Sequence, residues 1–514
     1  MTTTMFSIIK RLFKSKPKIN ESYVTATTSF HFVAELPQMH TQFQETFRMF
    51  PDFVSRELVV KKVTYGVFYL SNLVDSDLLI EEILNRLLEI EDVPSPEKLV
   101  NLIPIGQRLL DDNWYPLQQR ILQGWTYIHI SGYPYGILAN TAKRRERALT
   151  KPENESQILG PQIAFTENME TNVALIHQYL PNPDLCEIAL IKGENTTQTN
   201  IRIVYLSNRA DLEMVTHIYN SIEALQLEAI LDATILAQWL EDNPSSFFPQ
   251  MITTERVDRA IFPLLEGKVV ITVSGSPHVI ICPNTFFDFF KSIEDYYFRW
   301  ATGLFFRNLR IVGIAISLFA TATYVAALTY HYEIIPQALL VPLAQSRARV
   351  PFPPIVEALI MEMIIQLLSE AGARLPSKVG QTMGIVGGIV IGQAAVQAGF
   401  TSNILIIIVA LSALSSFTTP VFGMANAIRI IRFPIILSAG IMGGLGIAVS
   451  VALLILHLLR QSSLGQPYFY PPYTIEDKNK RDGLIRVPYQ LIPKRSVFAN
   501  TGENTLKGNK DIDE

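Results

Sequence analysis

Residues 351–376 read PFPPIVEALIMEMIIQLLSEAGARLP, and their reading decides the fold. Pro353 and Pro354 suit the first turn of a helix, where a missing N–H costs nothing, and Gly372 suits its end. At 3.6 residues per turn, Glu362, Gln366, Ser369 and Glu370 share one stripe, while Glu357 falls on a different side. The remaining positions, among them Ile355, Leu359, Ile360, Met363 and Leu367, are as apolar as those of a membrane helix. An ionised carboxylate facing lipid costs at least about 2.5–3.5 kcal/mol, so the stripe must meet protein, water or headgroups. Three readings stay open. The helix lies at the interface with its carboxylates among headgroups, or it lines a water-filled path whose repeated carboxylates attract cations, or it is buried and pairs with Arg374 or another base.

The flanking sequence is built for a bilayer. Ile311 to Tyr330 carries no charge and is long enough to cross the hydrocarbon core. Val379 to Ile428 is an uncharged run of about 50 residues, enough for two spans, broken at Thr401, Ser402 and Asn403. Pro434 to Leu458 is uncharged apart from His457. These stretches predict a polytopic helical membrane domain over 305–460, with spans near 311–330, 354–371, 383–400, 404–420 and 434–458. Five stretches give an odd count. A polar cytoplasmic tail over 461–514 then requires one of them to be re-entrant or interfacial. Arg307, Arg310, Arg374, Lys378, Arg429 and Arg432 read as basic flanks at span ends and put the long N-terminal half in the cytoplasm. Gly380, Gly384, Gly388 and Gly392 recur every fourth residue, and Gly440 and Gly444 repeat the spacing, which lets helix backbones approach closely.

Upstream of residue 300 no uncharged run approaches the length of a span, so this half is soluble. Stretches 58–70 and 126–130 are rich in β-branched and aromatic residues, and 75–91 repeats apolar residues at helical spacing behind Ser and Asp. Four further strand candidates, 186–191, 201–206, 268–273 and 278–283, alternate with helical stretches, and the last two read as a hairpin punctuated by Gly275 and Pro277. The polar stretch 140–162 predicts a linker. The expected architecture is therefore a basic N-terminal segment over 1–20, two mixed α/β (α+β) subdomains over 21–145 and 146–300, the membrane domain and the tail.

With 514 residues, 48% of them hydrophobic, the chain is a mosaic of soluble and membrane parts. The net charge of −4 argues against nucleic acid as a partner. Two distant cysteines, Cys186 and Cys282, exclude a disulfide scaffold and read as buried fillers. An enzyme finds little support: HExxH and GxSxG are absent, and His177, His217 and His278 read as surface or capped side chains. Thr254, Glu255, Arg256 and Asp258 read as a helix cap with local ion pairs. No cofactor or metal is expected. A self-sufficient secondary transporter lacks its two matched halves, whereas a non-conducting scaffold remains open.

The stretch 351–376 followed by GQTMGIVGGIVIGQAAVQAGFTS resembles the signature of the A subunit of GerA-type spore germinant receptors. Further blocks resemble that family in order and spacing: Asn172 in TNVALI, residues 247–271 with Thr254, Glu255, Arg256, Asp258, Glu266 and Gly267, then 274–283, 294–297 and 465–474. Val257, Ser274, His177, Gln178 and Ser369 depart from the pattern. The resemblance implies a subunit in the spore inner membrane whose partners are a permease-like B subunit and a lipoprotein C subunit. It also implies homo-oligomerisation into a nutrient-gated channel for monovalent cations. Carried onto this chain, that places the ion path on Glu362, Gln366 and Glu370, with Glu357 nearby.

Overall fold

The computed structural model describes residues 32–469 apart from 62, 90–94, 112–113, 144–150, 153–154, 156, 194–196 and 374–391. The basic segment 1–20, Gly380, Gly384 and Gly388, the first half of the 383–400 stretch and the tail beyond Phe469 therefore lie outside the described residues.

The N-terminal part is mixed α/β and forms two lobes. In the first, α1 (Leu36–Thr46) leads into a hairpin of β1 (Phe53–Val60) and β2 (Val63–Leu70). The stretch 58–70, rich in β-branched and aromatic residues, thus holds a reversal, made where Lys61 takes a positive φ of 52°. A helical run over 76–89 and α2 (Pro96–Leu102) precede the edge strand β3 (Arg108–Asp111). Next come α3 (Trp114–Ile121) and a second hairpin, β4 (Trp125–Ile130) with β5 (Gly136–Asn140). The second lobe repeats the plan with α4 (Met169–Tyr179), β6 (Leu185–Lys192), β7 (Thr199–Leu206), α5 (Leu212–Glu223), α6 (Ala233–Leu240) and β8 (Ile252–Thr254). It closes with α7 (Val257–Leu265), β9 (Val269–Val273) and β10 (Val279–Cys282). Strand order is β1-β2-β4-β5-β3 in one sheet and β6-β7-β9-β10-β8 in the other, so the topology is duplicated. The packing is duplicated as well. Alternating residues on β9 send Val270 to the face shared with α4 and α7, and Val269 and Ile271 to the face covered by α5 and α6.

The predicted hairpin at 268–283 forms, with Ile280 opposite Ile271. Gly267 precedes it with a φ of +88°, a left-handed turn that ends α7 and that a side chain would strain. Of the predicted linker, the described residues Glu155 and Pro161 are held in place. Arg256, fully buried, grips the Asp258 carboxylate with two N–H groups at 3.0 and 2.7 Å, and donates to the carbonyls of Pro161 at 2.8 Å and Glu155 at 3.3 Å. Thr254 donates to Glu155, Tyr297 donates to Asp258, and Glu255 accepts from the Glu155 N–H. The cluster read as a local cap is therefore also the latch that fastens the linker to lobe two. Asn172 works likewise, accepting from the Thr166 N–H at 2.7 Å and donating to the Thr166 carbonyl at 2.5 Å.

The C-terminal part is helical. α8 (Trp300–Thr329) is about 45 Å long at 1.5 Å per residue. There follow α9 (Gln337–Arg347), α10 (Pro354–Ala373), α11 (Asn403–Ser416), α12 (Phe422–Met442) and α13 (Gly444–Arg460). By length and composition, α8 and α12 suffice to cross a membrane. The predicted span 434–458 is corrected: it is two helices, reversed at Gly443, whose φ of +60° suits glycine. Arg429 and Arg432 accordingly lie inside α12 and do not flank a span.

The segment after α13 is also corrected, because its start is not a free solvated tail. β11 (Ser462–Ser463) and β12 (Gln466–Pro467) form a small hairpin on lobe two. Ser463 donates to the Gln250 carbonyl, Gly465 N–H to Asp242, and the buried Tyr468 to the Pro249 carbonyl at 2.7 Å. Its own carbonyl accepts from Phe286 N–H.

Candidate functional site

The residues that decided the fold meet inside the helical bundle. Four helices run side by side, and contacts fix their directions. Tyr324 near the end of α8 reaches Ser402 before α11 (2.9 Å), and Ser412 of α11 donates to the Ser317 carbonyl of α8 (2.9 Å), so α8 and α11 are antiparallel. Tyr330 donates to the Ile441 carbonyl at 2.6 Å, which brings the end of α12 to the end of α8. α13 returns to lobe two, where His457 meets Ser246 at 2.9 Å.

Glu357 and Glu362 on α10 are fully buried. Glu357 accepts the Ser402 N–H at 2.6 Å and the Thr401 hydroxyl at 3.1 Å, and stands 3.5 Å from Arg347 Nε. Ser402 in turn caps α11 by accepting from the Leu405 N–H. Glu362 accepts from Thr321 at 2.8 Å and lies 3.1 Å from Arg432 Nη1. That nitrogen aims its hydrogen bond at Ser412 (2.7 Å), so its contact with Glu362 is Coulombic. The result is one polar chain, Thr321–Glu362–Arg432–Ser412–Ser317, threading α8, α10, α12 and α11. Each buried carboxylate has a base beside it, which is what permits its burial: an unpaired charge inside costs several kcal/mol, and a pair recovers much of that.

Of the three readings of the acidic helix, Glu362 takes the third, buried pairing with a base. The base is Arg432; Arg374, named in that reading, lies outside the described residues. Further along the stripe Gln366 is half-buried and Glu370 is exposed, so the stripe passes from the interior of the bundle to its outside. Glu357, assigned to another side, is buried with Glu362. Gly440 packs on α10: a Cβ built there stands 2.2 Å from Ile355 Cδ1. Gly444 donates its N–H to His331 at 3.0 Å, whereas the nearest atom to a Cβ on Gly392 is 4.0 Å away. Sequence reasoning missed Arg429 and Arg432 as interior residues. Their three-residue spacing on one apolar helix was the available signal. Arg429 donates to Ser416 at 3.2 Å and lies 4.9 Å over the Phe417 ring.

Outside the bundle, Cys186 and Cys282 are free and buried, with thiols pushed up to about 11 and about 12 by desolvation. His177, read as a surface or capped side chain, is buried against Glu187, which also takes Arg202 at 3.0 Å. Burial forces the polar ring to find a partner. Among the described residues no group of three or more His, Cys, Asp or Glu could hold a metal ion. The chemistry of the polar chain is that of holding helices in register and neutralising charge.

Residues 41–498 match the profile of the Bacillus/Clostridium GerA spore germination protein family. The chain is 41% identical over 451 residues to spore germination protein GerQA of Bacillus cereus, covering 88% of this chain and 90% of that one. It is 36% identical over 464 residues to spore germination protein KA of Bacillus subtilis, covering 89% and 85%. A crystal structure of the N-terminal domain of the A subunit of the Bacillus megaterium spore germinant receptor GerK3 aligns with 50% of this chain and 98% of that chain, at 22% identity and a TM-score of 0.40. This chain belongs to the GerA family of spore germination proteins.

Proposed function

We propose that this protein is the membrane-embedded A subunit of a nutrient-sensing spore germinant receptor, with permease-like and lipoprotein subunits as partners and both α/β lobes on the cytoplasmic side. The observation that carries the reading is the family match over residues 41–498. It is supported by a helical region that leaves lobe two at Trp300 and returns to it at Arg460. A bundle held by ion pairs and anchored at both ends to one soluble lobe suits a part that passes a change from membrane to cytoplasm, or the reverse.

The finer reading is that copies assemble into a nutrient-gated path for monovalent cations. In such an assembly Gln366 and Glu370, where α10 leaves the interior, face the path, and Glu357 and Glu362 secure α10 from within. One observation favours a second reading, a non-conducting scaffold: the charge of Glu362 is already met by Arg432. Purified full chain in potassium-loaded liposomes, alone and with its partner subunits, separates the two. Nutrient-triggered efflux that Glu370→Gln abolishes supports the path. Assembled complexes that pass no ions under any of these conditions leave the scaffold.

A further inference from the structure

Lobe two touches α8, α12 and α13, each where an apolar run begins or ends. Arg310 of α8, one residue before the uncharged stretch opens at Ile311, donates to the Phe290 carbonyl at 2.6 Å. Pro249 packs on the second residue of α12, where a Cβ built on Gly423 stands 3.6 Å from Pro249 Cγ. His457, near the end of the apolar run of α13, meets Ser246 at 2.9 Å. Three such contacts fix a plane. The headgroup layer on one face of a bilayer is only about 5–8 Å deep, so a lobe held against the ends of these runs has its near side inside that layer.

Two of these contacts come from one loop, 243–249, between α6 and β8. Its base is fixed by the buried Gln250, whose side chain accepts from the Asp242 N–H at 2.8 Å and donates to the Asn243 carbonyl at 3.1 Å. Nearer its tip the Ser246 hydroxyl accepts from the Phe248 N–H at 3.1 Å and from the Gln461 amide at 2.9 Å. The two phenylalanines then part. Phe248 turns inward onto Phe286 and the His457 ring, whereas Phe247 turns outward and is 63% exposed. A single exposed ring on a protein surface means little. This one is held out by a braced loop at headgroup depth, and Phe422, beside Gly423, is 73% exposed as well. The loop reads NPSSFFP and has no ionisable side chain. Nothing on it resists the boundary between headgroups and acyl chains, where aromatic rings are favoured.

We propose that loop 243–249 is a membrane-insertion loop, which seats lobe two on the bilayer with the Phe247 ring at the first carbons of the acyl chains. The occupant is lipid because the surface on either side of the ring is lipid-facing: Phe422 at the start of α12, and the exposed Leu456 and Leu459 that flank His457 on α13. The proposal rests on the reading that the bundle lies in a bilayer, and on nothing about conduction.

The test puts a nitroxide on Phe247→Cys in the full chain, reconstituted in phosphatidylcholine vesicles. It compares collisions with oxygen, which concentrates in hydrocarbon, and with a nickel chelate, which stays in water. Cys186 and Cys282 are buried, and the unsubstituted chain carried through the labelling serves as the blank. Leu453→Cys, at an exposed position of α13, marks lipid. Leu231→Cys marks water: Leu231 is exposed and adjoins Asp232, which takes the Ser276 hydroxyl at the end of β9 and β10 opposite Phe286. The oxygen-to-nickel ratio of the Phe247→Cys label is expected to rise far above that of Leu231→Cys and to approach that of Leu453→Cys. Thermal melts of each variant verify folding. A ratio equal to that of Leu231→Cys overturns the insertion, and so does a label shielded from both reagents, the mark of a ring covered by protein. A water-like ratio at Leu453→Cys sinks the membrane reading as well, whereas a lipid-like ratio there with a water-like one at Phe247→Cys sinks the loop alone.

Discussion

Glu362 and Arg432 sit 3.1 Å apart with neither exposed, and that arrangement makes an asymmetric demand. Removing one partner leaves the other charged and buried, at about 3–5 kcal/mol, while replacing both by apolar side chains of similar volume is close to neutral. Glu362→Gln is therefore expected to lower the melting temperature of the detergent-solubilised chain markedly, and the double variant Glu362→Met, Arg432→Met to restore most of it. A double variant no more stable than the single one shows that the pair does not hold the bundle. The same double variant bears on function, since a carboxylate needed in an ion path cannot be replaced by methionine, whereas a structural pair can.

Helix contacts are decided by what fits between backbones. Gly440 of α12 lies so close to α10 that a built Cβ comes within 2.8 Å of Ile355 Cβ as well as 2.2 Å of its Cδ1. Gly440→Leu should push the helices apart and cost about 1–3 kcal/mol, and Ile355→Ala in the same chain should recover part of the loss. If the second change brings no recovery in a melt, the contact is not the cause. The position of α10 was legible in the sequence: prolines at its start and an apolar run broken only by a polar stripe gave 354–371, against 354–373 in the structure. The hairpin of β9 and β10 was equally plain. The division of 434–458 was not, because a run of apolar residues shows length but not direction, and Gly443 is one glycine among many. Arg429 and Arg432 were misread for a different reason. Charge inside a membrane helix is tolerated only by virtue of a partner, and the partner of Arg432 is 70 positions away on α10, beyond any local pattern.

The two lobes share one topology and meet at a junction between α1 and β1 on one side and α4 and β6 on the other. Phe50 packs on His177, and Glu187 donates its N–H to the Met49 carbonyl. Asp52 is buried there. Desolvation, with the Glu187 charge in second place, raises its carboxyl from 3.8 to about 6, against the pull of His177, Arg202 and a backbone N–H. Since the native pKa lies above the unfolded one, the native state holds this proton more tightly. Its stabilising contribution is complete below 3.8 and is lost as pH rises through about 6. Asp52→Asn should remove that slope, leaving stability unchanged near pH 4 and raising it above pH 6 by up to about 3 kcal/mol. Thermal melts of the full chain across this range provide the check, and a slope that survives the substitution excludes Asp52 as its source.

The hairpin of β11 and β12 settles against residues made 213 to 223 positions earlier. On the ribosome, lobe two must therefore wait, with Phe286 uncovered, until every helix has been synthesised and Tyr468 emerges to pack on it. A chain cut short before that residue carries a bare aromatic notch, which distinguishes it from a finished one and offers a handle to any quality-control factor that reads exposed rings.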